Sequence, residues 1–232
     1  MPAKLFNCFL CGYSIDKLNY VCNPCYELLP WNIHACYSCS VALPYASSLS
    51  CSQKPICAKC RLTTPKYQIL APFKYDEVIV HIIKSIKYHG AAQPYAFLAE
   101  TLVNYLLVNA YLSKIDVLIP VPLFPAKQSR RGFNQAIELA KAINKTMGIN
   151  IDYFGCERIK NTPSQTKYNI DERRSNLRNS FVARRNFSGE RVVILDDVVT
   201  TGATVNALAE VIYGKGALMV EVWAIARANK SL

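Results

Sequence analysis

Eight cysteines near the start of the chain form four Cys-x-x-Cys pairs, and this spacing is typical of zinc sites. A tetrahedral zinc ion takes four thiolates, and each Cys-x-x-Cys turn presents two. Because two pairs complete one site, four pairs predict two zinc ions, and full thiolate coordination makes both of them structural. The predicted ligands are Cys8, Cys11, Cys22, Cys25, Cys36, Cys39, Cys57 and Cys60.

Spacing alone leaves the pairing of these ligands open. Ten residues separate Cys11 from Cys22 and seventeen separate Cys39 from Cys57, so consecutive pairs could form two ribbon-like sites. An arrangement in which the first pair joins the third fits the spacing as well. Cys51 is a surplus thiol that could replace a neighbour or stay free. Cys156, far along the chain, is expected to be a small buried apolar residue.

A second group of chemically informative residues is the run VVILDDVVTTGAT, residues 192–204. Four apolar residues predict a buried strand, Asp196 and Asp197 stand at its carboxyl end, and a turn of small residues leads into a helix. Backbone N–H groups and hydroxyls of such a turn can surround a phosphate, and the helix dipole adds to the attraction. The adjacent carboxylates then need hydroxyls or a metal ion, which points to the diol of a ribose 5-phosphate.

This run resembles the phosphoribosyl pyrophosphate (PRPP) motif of type I phosphoribosyltransferases at every position. The resemblance implies that Asp196 and Asp197 hold the ribose hydroxyls and that the following turn holds the 5-phosphate, with Mg²⁺ accompanying PRPP. The PRPP-binding residues predicted in and after the strand are Asp196, Asp197, Val198, Val199, Thr200, Thr201, Gly202, Ala203 and Thr204.

Further motifs narrow the resemblance to the ComF family, which includes the ComFC competence proteins. They are KYHG at 87–90, PVPL at 120–123, RRGFNQA at 130–136 and TPSQTKYNIDERRSNLRNSF at 162–181. The resemblance covers essentially the whole chain. It implies that Val121, Pro122 and Leu123 lie against the pyrophosphate, that Lys87 belongs to the PRPP site, and that residues 162–181 form a mobile catalytic loop. If the protein is an enzyme, the predicted catalytic residues are Arg131, Arg173 and Arg174.

The elements that must position these residues alternate between helices and apolar strands. Helices are predicted over 76–88, Tyr95 to Leu112, 134–147 and 205–213. Strands are predicted over Ile115 to Ile119, 191–197 and 217–226. This alternation predicts an α/β fold, a parallel sheet with helices on both faces, and the resemblance specifies the type I phosphoribosyltransferase-like form. The predicted domains are a double zinc ribbon over 1–66 and a phosphoribosyltransferase-like domain over 67–232.

Composition and charge limit the classes of function. The chain has 232 residues and a formal net charge of +11. Residues 156–191 contribute +5 of this, from nine Lys or Arg against four Asp or Glu. Such a balance favours an anionic partner, nucleic acid or a phosphorylated metabolite, although it also serves solubility. Because no apolar run is long enough to cross a bilayer and no secretory signal is evident, a cytoplasmic protein without membrane insertion is expected.

Three functions are compatible with these features. The ComF resemblance implies a PRPP-binding protein that assists incoming single-stranded DNA during natural transformation, with a DNA-uptake helicase or other competence proteins as partners. A phosphoribosyltransferase of nucleotide synthesis or salvage would need a base-recognition hood, and zinc ribbons stand where we would look for one. A PRPP sensor without catalysis is the third. Basic residues interleaved with aromatic ones favour single-stranded DNA binding; the aromatic residues in question are Tyr13, Tyr20, Tyr26 and Trp31.

Overall fold

The computed structural model describes residues 6–15, 20–44, 54–63, 65–89, 92–109, 115–161 and 179–229. The cysteine-rich part contains short elements only. They are β1 (Phe6–Asn7), β2 (Ser14–Ile15), α1 (Asn23–Glu27) and α2 (Ala58–Leu62). Strands β1 and β2 pair antiparallel. Elements of two to five residues bury little apolar surface by themselves, so this part needs support from metal sites or from packing against the rest of the protein.

The centre of the molecule is a five-stranded sheet in which every neighbouring pair is parallel. Its strands are β3 (Gln68–Leu70), β4 (Phe73–Lys74), β5 (Val117–Pro120), β8 (Arg191–Val199) and β9 (Met219–Arg227). The order is β3-β9-β8-β5, and β4 also pairs with β9. Outside the sheet, β6 (Cys156–Arg158) and β7 (Phe181–Ala183) form an antiparallel pair.

Five helices accompany the sheet in the described residues. They are α3 (Glu77–His89), α4 (Ala92–Asn109), α5 (Pro125–Arg131), α6 (Gln135–Met147) and α7 (Ala203–Tyr213). The four predicted helices are present with ends shifted by up to three residues, and α5 was not predicted. Local signals explain the ends of α6: the Asn134 side chain accepts a hydrogen bond from the Ala136 N–H (3.0 Å), and Gly148 adopts the left-handed conformation.

Alternate residues of the central strands enter two separate apolar clusters, one on each face of the sheet. On β8, Val193 and Leu195 face the cluster that contains helices α3, α4 and α6. Val192 and Ile194 face the cluster that contains α7 and the β6–β7 pair. This alternation follows from the two-residue repeat of a strand. The predicted parallel sheet with helices on both faces is therefore confirmed.

The first apolar cluster extends into the cysteine-rich part. Cys8 and Cys22 are buried in it together with Phe73 and Phe97. The Phe9 ring contacts that of Phe97 edge-on, with centroids 5.5 Å apart. Apolar packing therefore crosses the predicted domain boundary at residue 66, and the division into 1–66 and 67–232 stays a prediction. Within the described residues, no helix is long and apolar enough to span a membrane.

Candidate phosphate site and metal centres

The carboxyl end of β8 leads directly into the turn predicted to hold a phosphate. Residues 200–202 connect β8 to α7, and we call residues 200–204 the 200–204 turn. Gly202 occupies the position before the helix with φ 79°, a left-handed conformation that suits glycine. Its missing side chain leaves the start of α7 without a side-chain cap from that position. The Ala203 N–H donates to the Thr201 hydroxyl at 3.3 Å, and the positive end of the helix dipole favours an anion at this turn.

Asp196 at this strand end has a pKa that its surroundings raise. Burial raises the pKa of Asp196 well above its usual range, the charge of Asp197 raises it further, and the positive charge of Arg158 opposes both effects. Each carboxylate also accepts a hydrogen bond from the next backbone N–H, that of Asp197 (2.9 Å) and that of Val198 (2.8 Å). A carboxyl group whose pKa is raised in this way at a strand end is typical of binding sites.

The loop after β5 lies beside these aspartates. Pro120 is the register partner of Leu195, and the Val121 N–H donates to the Leu195 carbonyl at 2.9 Å. The Val121 carbonyl in turn accepts a hydrogen bond from the Asn134 side chain at 3.0 Å. Pro122 and Leu123 follow at the same sheet edge, which is where parallel α/β sheets bind their ligands.

The cysteines gather into two groups of four, and consecutive pairs supply each group. We call Cys8, Cys11, Cys22 and Cys25 the first cluster, and Cys36, Cys39, Cys57 and Cys60 the second cluster. Within each, all sulfur atoms lie within 4.8 Å of one another. This geometry decides the pairing that spacing left open, because the first pair joins the second and the third joins the fourth. Cys51 lies outside the described residues, and Cys156 is buried, as predicted.

The donor set of both clusters fits a zinc ion. A Zn–S bond of about 2.3 Å in a tetrahedron places sulfur atoms about 3.8 Å apart. The Cys11 and Cys22 sulfurs are 3.6 Å apart, and the Cys39 and Cys57 sulfurs are 3.8 Å apart. Backbone N–H groups also stabilise negative sulfur: the Cys57 N–H donates to Cys36 Sγ (3.3 Å) and the Cys60 N–H donates to Cys57 Sγ (3.4 Å). Two four-cysteine groups that could hold zinc are therefore present.

Comparison with known proteins agrees with these features. Residues 125–232, which include β8, the 200–204 turn and α7, match the phosphoribosyl transferase domain family. Competence protein F of Haemophilus influenzae is 29% identical over 96% of this chain and 97% of its own length. The chain is a homologue of the ComF competence proteins. The DNA utilization protein YhgH of Salmonella typhimurium is 27% identical over 95% of this chain and 96% of its own. Competence protein ComFC of Bacillus subtilis is 25% identical over 78% of each chain.

Arg158 is one residue of this ComF homologue's site that the sequence analysis missed. It ends β6, is buried, and lies with its guanidinium 5.5 Å from the Phe181 ring centroid. Burial lowers the pKa of Arg158, and the negative charge of Asp196 opposes that effect. Arg158 therefore contributes positive charge near the paired aspartates. In the sequence, Arg158 is one of nine basic residues in residues 156–191, a stretch that lacks clear periodicity, and nothing there distinguishes it from the others.

Two tyrosines whose pKa responds to Asp197 were also missed. Burial raises the pKa of Tyr75, and the charge of Asp197 adds to this. Burial, Glu138 and Asp197 raise the pKa of Tyr95, and no described residue forms a hydrogen bond with its buried hydroxyl. Phenol groups thus lie within electrostatic reach of the second aspartate. No spacing in the sequence links residues 75 and 95 to 197, because Tyr75 lies between β4 and α3 and Tyr95 lies in α4, and both come near β8 only in the folded protein.

Several predicted residues of the ComF homologue remain predictions. Lys87 lies in α3 and Arg131 ends α5, but their side chains are outside the described part of the structure. Arg173 and Arg174, with the rest of the 162–178 segment, also lie outside the described residues. The PRPP-contacting and catalytic roles implied by the resemblance stay predictions for these four residues, as they do for the residues of β8, the 200–204 turn and the loop after β5.

The basic stretch contains arginines that are already paired within the protein. Arg184 forms an ion pair with Glu157. Arg185 pairs with Asp152 (2.6 Å) and with Glu190 (2.6 Å), and its guanidinium lies 4.2 Å from the Phe187 ring centroid. Neighbouring carboxylates raise the pKa of Arg185. Glu157 and Glu190 are already subtracted in the +5 of residues 156–191, so only Asp152, which lies outside that stretch, further lowers the charge offered to a partner.

Proposed function

We propose that this protein binds PRPP together with Mg²⁺ at the carboxyl end of β8 and acts in DNA uptake. The observation that carries PRPP binding is the continuous unit of a buried strand, Asp196 and Asp197, and the 200–204 turn at the start of α7. Acids beside an anion site need a ligand that brings both hydroxyls and phosphate, and a ribose 5-phosphate has both. The role in DNA uptake is supported by full-length homologues named competence protein F and DNA utilization protein.

Titration calorimetry with PRPP and Mg²⁺ tests the first part. Replacing Asp196 and Asp197 together by Asn removes the charged acceptors but keeps the size and polarity of both side chains. We expect at least a tenfold loss of affinity, since hydrogen bonds to charged groups contribute about 1.5–3 kcal/mol each. Glu210→Gln is the matched control, because Glu210 is an exposed acid farther along α7. Equal affinity in the folded double variant and the wild type would refute the assignment.

Structural zinc in both clusters completes the proposal. Four thiolates at tetrahedral separations leave no ligand position for water, so the metal would stabilise the fold and take no part in catalysis. Elemental analysis of protein purified without chelator should give about two zinc ions per chain. Less than one would refute zinc as the resident metal.

Single-stranded DNA is the second proposed ligand. Tyr13 is 72% exposed and could stack on a base. The Trp31 ring is less accessible, because it is half-buried and contacts those of Tyr26 and Phe73 at centroid distances of 4.9 and 4.7 Å. The candidate surface is therefore smaller than the four aromatic residues suggested.

Fluorescence anisotropy with a single-stranded oligonucleotide tests this ligand. Tyr13→Ala should weaken binding about fivefold or more, because stacking on an aromatic ring contributes roughly 1–3 kcal/mol per base. Tyr153→Ala is the control, since Tyr153 is a partly exposed tyrosine next to the Asp152–Arg185 ion pair. Absence of salt-sensitive binding by the wild type at low ionic strength would mean that any role in DNA uptake runs through a protein partner.

A further inference from the structure

The Arg227 side chain connects the second cluster to the 200–204 turn. Its Nε donates a hydrogen bond to the Cys39 carbonyl at 2.9 Å. Its Nη1 donates to the Val199 carbonyl at 2.9 Å and to the Thr200 carbonyl. One planar guanidinium is therefore hydrogen-bonded both to the backbone of the turn that contains Cys39 and to the backbone at the start of the 200–204 turn. Arginine suits this task because its donors stand in a rigid fork.

This connection is buried. Arg227 is 9% exposed and ends β9, where the Ala228 N–H also donates to the Val199 carbonyl at 2.9 Å. A buried cation is costly unless negative charge and hydrogen-bond acceptors surround it. The second cluster provides such charge, because four thiolates around one Zn²⁺ carry a net charge of −2. Metal loading of this cluster and the position of the Arg227 guanidinium are therefore energetically linked.

Hydrogen bonds attach the turn that contains Cys39 to strand β3. The Ser40 hydroxyl donates to the Ile69 carbonyl at 2.6 Å, and the Ile69 N–H donates to the Ser38 carbonyl at 3.0 Å. The Ser40 N–H donates to the Cys36 carbonyl at 2.8 Å, which closes the turn that contains Cys39. The direction of the Cys39 carbonyl therefore depends on the turn that the metal would organise.

We infer that Arg227 is a positioning residue that couples metal occupancy of the second cluster to the shape of the 200–204 turn. With metal bound, the Cys39 carbonyl and the thiolate charge hold the guanidinium, and the guanidinium holds the Val199 and Thr200 carbonyls. Loss of that metal loosens the turn. The consequence for PRPP rests on the proposed function, whereas the coupling of cluster to turn does not. Coupling is reciprocal, so a ligand at the turn should slow metal release from this cluster.

Hydrogen exchange of the full-length, zinc-loaded protein measures the coupling without any ligand. Cys57→Ser and Cys25→Ser remove one half-buried ligand from the second and first cluster, respectively. We expect Cys57→Ser to speed amide exchange in peptides covering 199–204 about tenfold, and Cys25→Ser to change it much less. Arg227→Met should produce a similar acceleration, and adding Cys57→Ser to it should produce little more. Equal effects of the two cysteine variants, or fully additive effects in the double variant, would overturn the inference.

Metal release gives a second, independent readout. With a chromogenic chelator, saturating PRPP and Mg²⁺ should slow release of one of two zinc ions by roughly fivefold or more in the wild type and of neither in Arg227→Met. Arg227→Lys keeps the charge but not the fork, so an intermediate effect is expected, and this variant replaces Arg227→Met if the latter does not fold. Arg184→Met, at an exposed arginine that pairs with Glu157 outside the cysteine-rich part, is the matched control.

The two ways of failing are distinguishable. If the wild type binds no PRPP, the proposed function fails, while hydrogen exchange still decides the coupling. If PRPP binds but slows zinc release equally in the wild type and in Arg227→Met, then PRPP binding stands and Arg227 does not couple the two sites.

Discussion

The two cysteine clusters contain the same ligands in the same order, yet the protein surrounds them differently. Cys8 and Cys22 of the first cluster are buried in the large apolar cluster with Phe73 and Phe97. The turn of the second cluster is held mainly by hydrogen bonds, and its Cys39 contacts the apolar cluster on the opposite face of the sheet. One potential metal site is therefore built into a hydrophobic core, and the other into a polar network that reaches the 200–204 turn.

This difference indicates that identical ligand chemistry can serve two purposes. A metal beside apolar side chains mainly adds folding free energy, since the site does not exist in the unfolded chain. A metal whose ligand turn is hydrogen-bonded to a functional loop also influences that loop. The following experiments test whether the two clusters really differ in this way.

The largest expected effect comes from a matched pair of buried ligands. Cys22 and Cys60 are each 8% exposed, one in each cluster. Cys22→Ser should lower the free energy of unfolding by about 3–5 kcal/mol, because it weakens metal binding within the main core. Cys60→Ser should lower global stability less. Urea unfolding with zinc analysis of both variants gives the comparison, and equal losses would show that the two environments are equivalent.

The shared core at the first cluster provides the next test. Phe73 is fully buried, and its ring contacts that of Trp31 from the cysteine-rich part. Phe73→Ala should cost about 3–5 kcal/mol of stability, as expected for a large-to-small change in a core, and should also speed metal release from the first cluster. Leu62→Ala is a control, since Leu62 is 88% exposed. Lower stability with unchanged metal release would mean that the two parts are independent domains.

A smaller effect is expected from the polar attachment of the second cluster. Ser40→Ala leaves the buried Ile69 carbonyl without the hydroxyl that donates to it. The loss should be about 1–3 kcal/mol, accompanied by faster metal release from the second cluster only. Differential scanning calorimetry and chelator kinetics measure the two quantities. Ser14 is an exposed serine of β2 in the cysteine-rich part, and Ser14→Ala should change neither the stability nor the rate of metal release. If Ser14→Ala has the same effects as Ser40→Ala, the Ser40–Ile69 hydrogen bond has no specific role.

The smallest effect concerns the pH at which each cluster loses its metal. Burial raises the pKa of Cys8 and of Cys36, but hydrogen bonds from backbone N–H groups outweigh it and lower the pKa values to about 6 and about 7. A thiol with the lower pKa stays ionised to lower pH, so protons compete less with the metal. The first cluster should therefore retain zinc to a somewhat lower pH.

Chelator titrations over pH 5–8 can measure this order when each variant retains a single functional cluster. Cys57→Ser reports the first cluster and Cys25→Ser reports the second. Release from the first cluster at the higher pH would contradict the assigned environments of Cys8 and Cys36.

Short-range patterns in the sequence were sufficient to predict the main features of the fold and the positions of the candidate sites. The Cys-x-x-Cys pairs predicted two four-cysteine groups, and the 192–204 run predicted the strand, turn and helix that the structure contains. The alternation of helices with apolar strands predicted the two-sided parallel sheet. These predictions succeeded because a ligand turn, a strand and a helix start each depend on residues a few positions apart.

Tertiary structure decided what depends on residues far apart in the chain. It selected consecutive pairing of the cysteines, brought the charge of Arg158 to Asp196, and neutralised Arg184 and Arg185 with carboxylates. Arg227 meets the Cys39 carbonyl across 188 positions of sequence. No spacing rule predicts such a contact. It depends on the second cluster lying near the carboxyl end of β9, where Arg227 is the last residue of the strand.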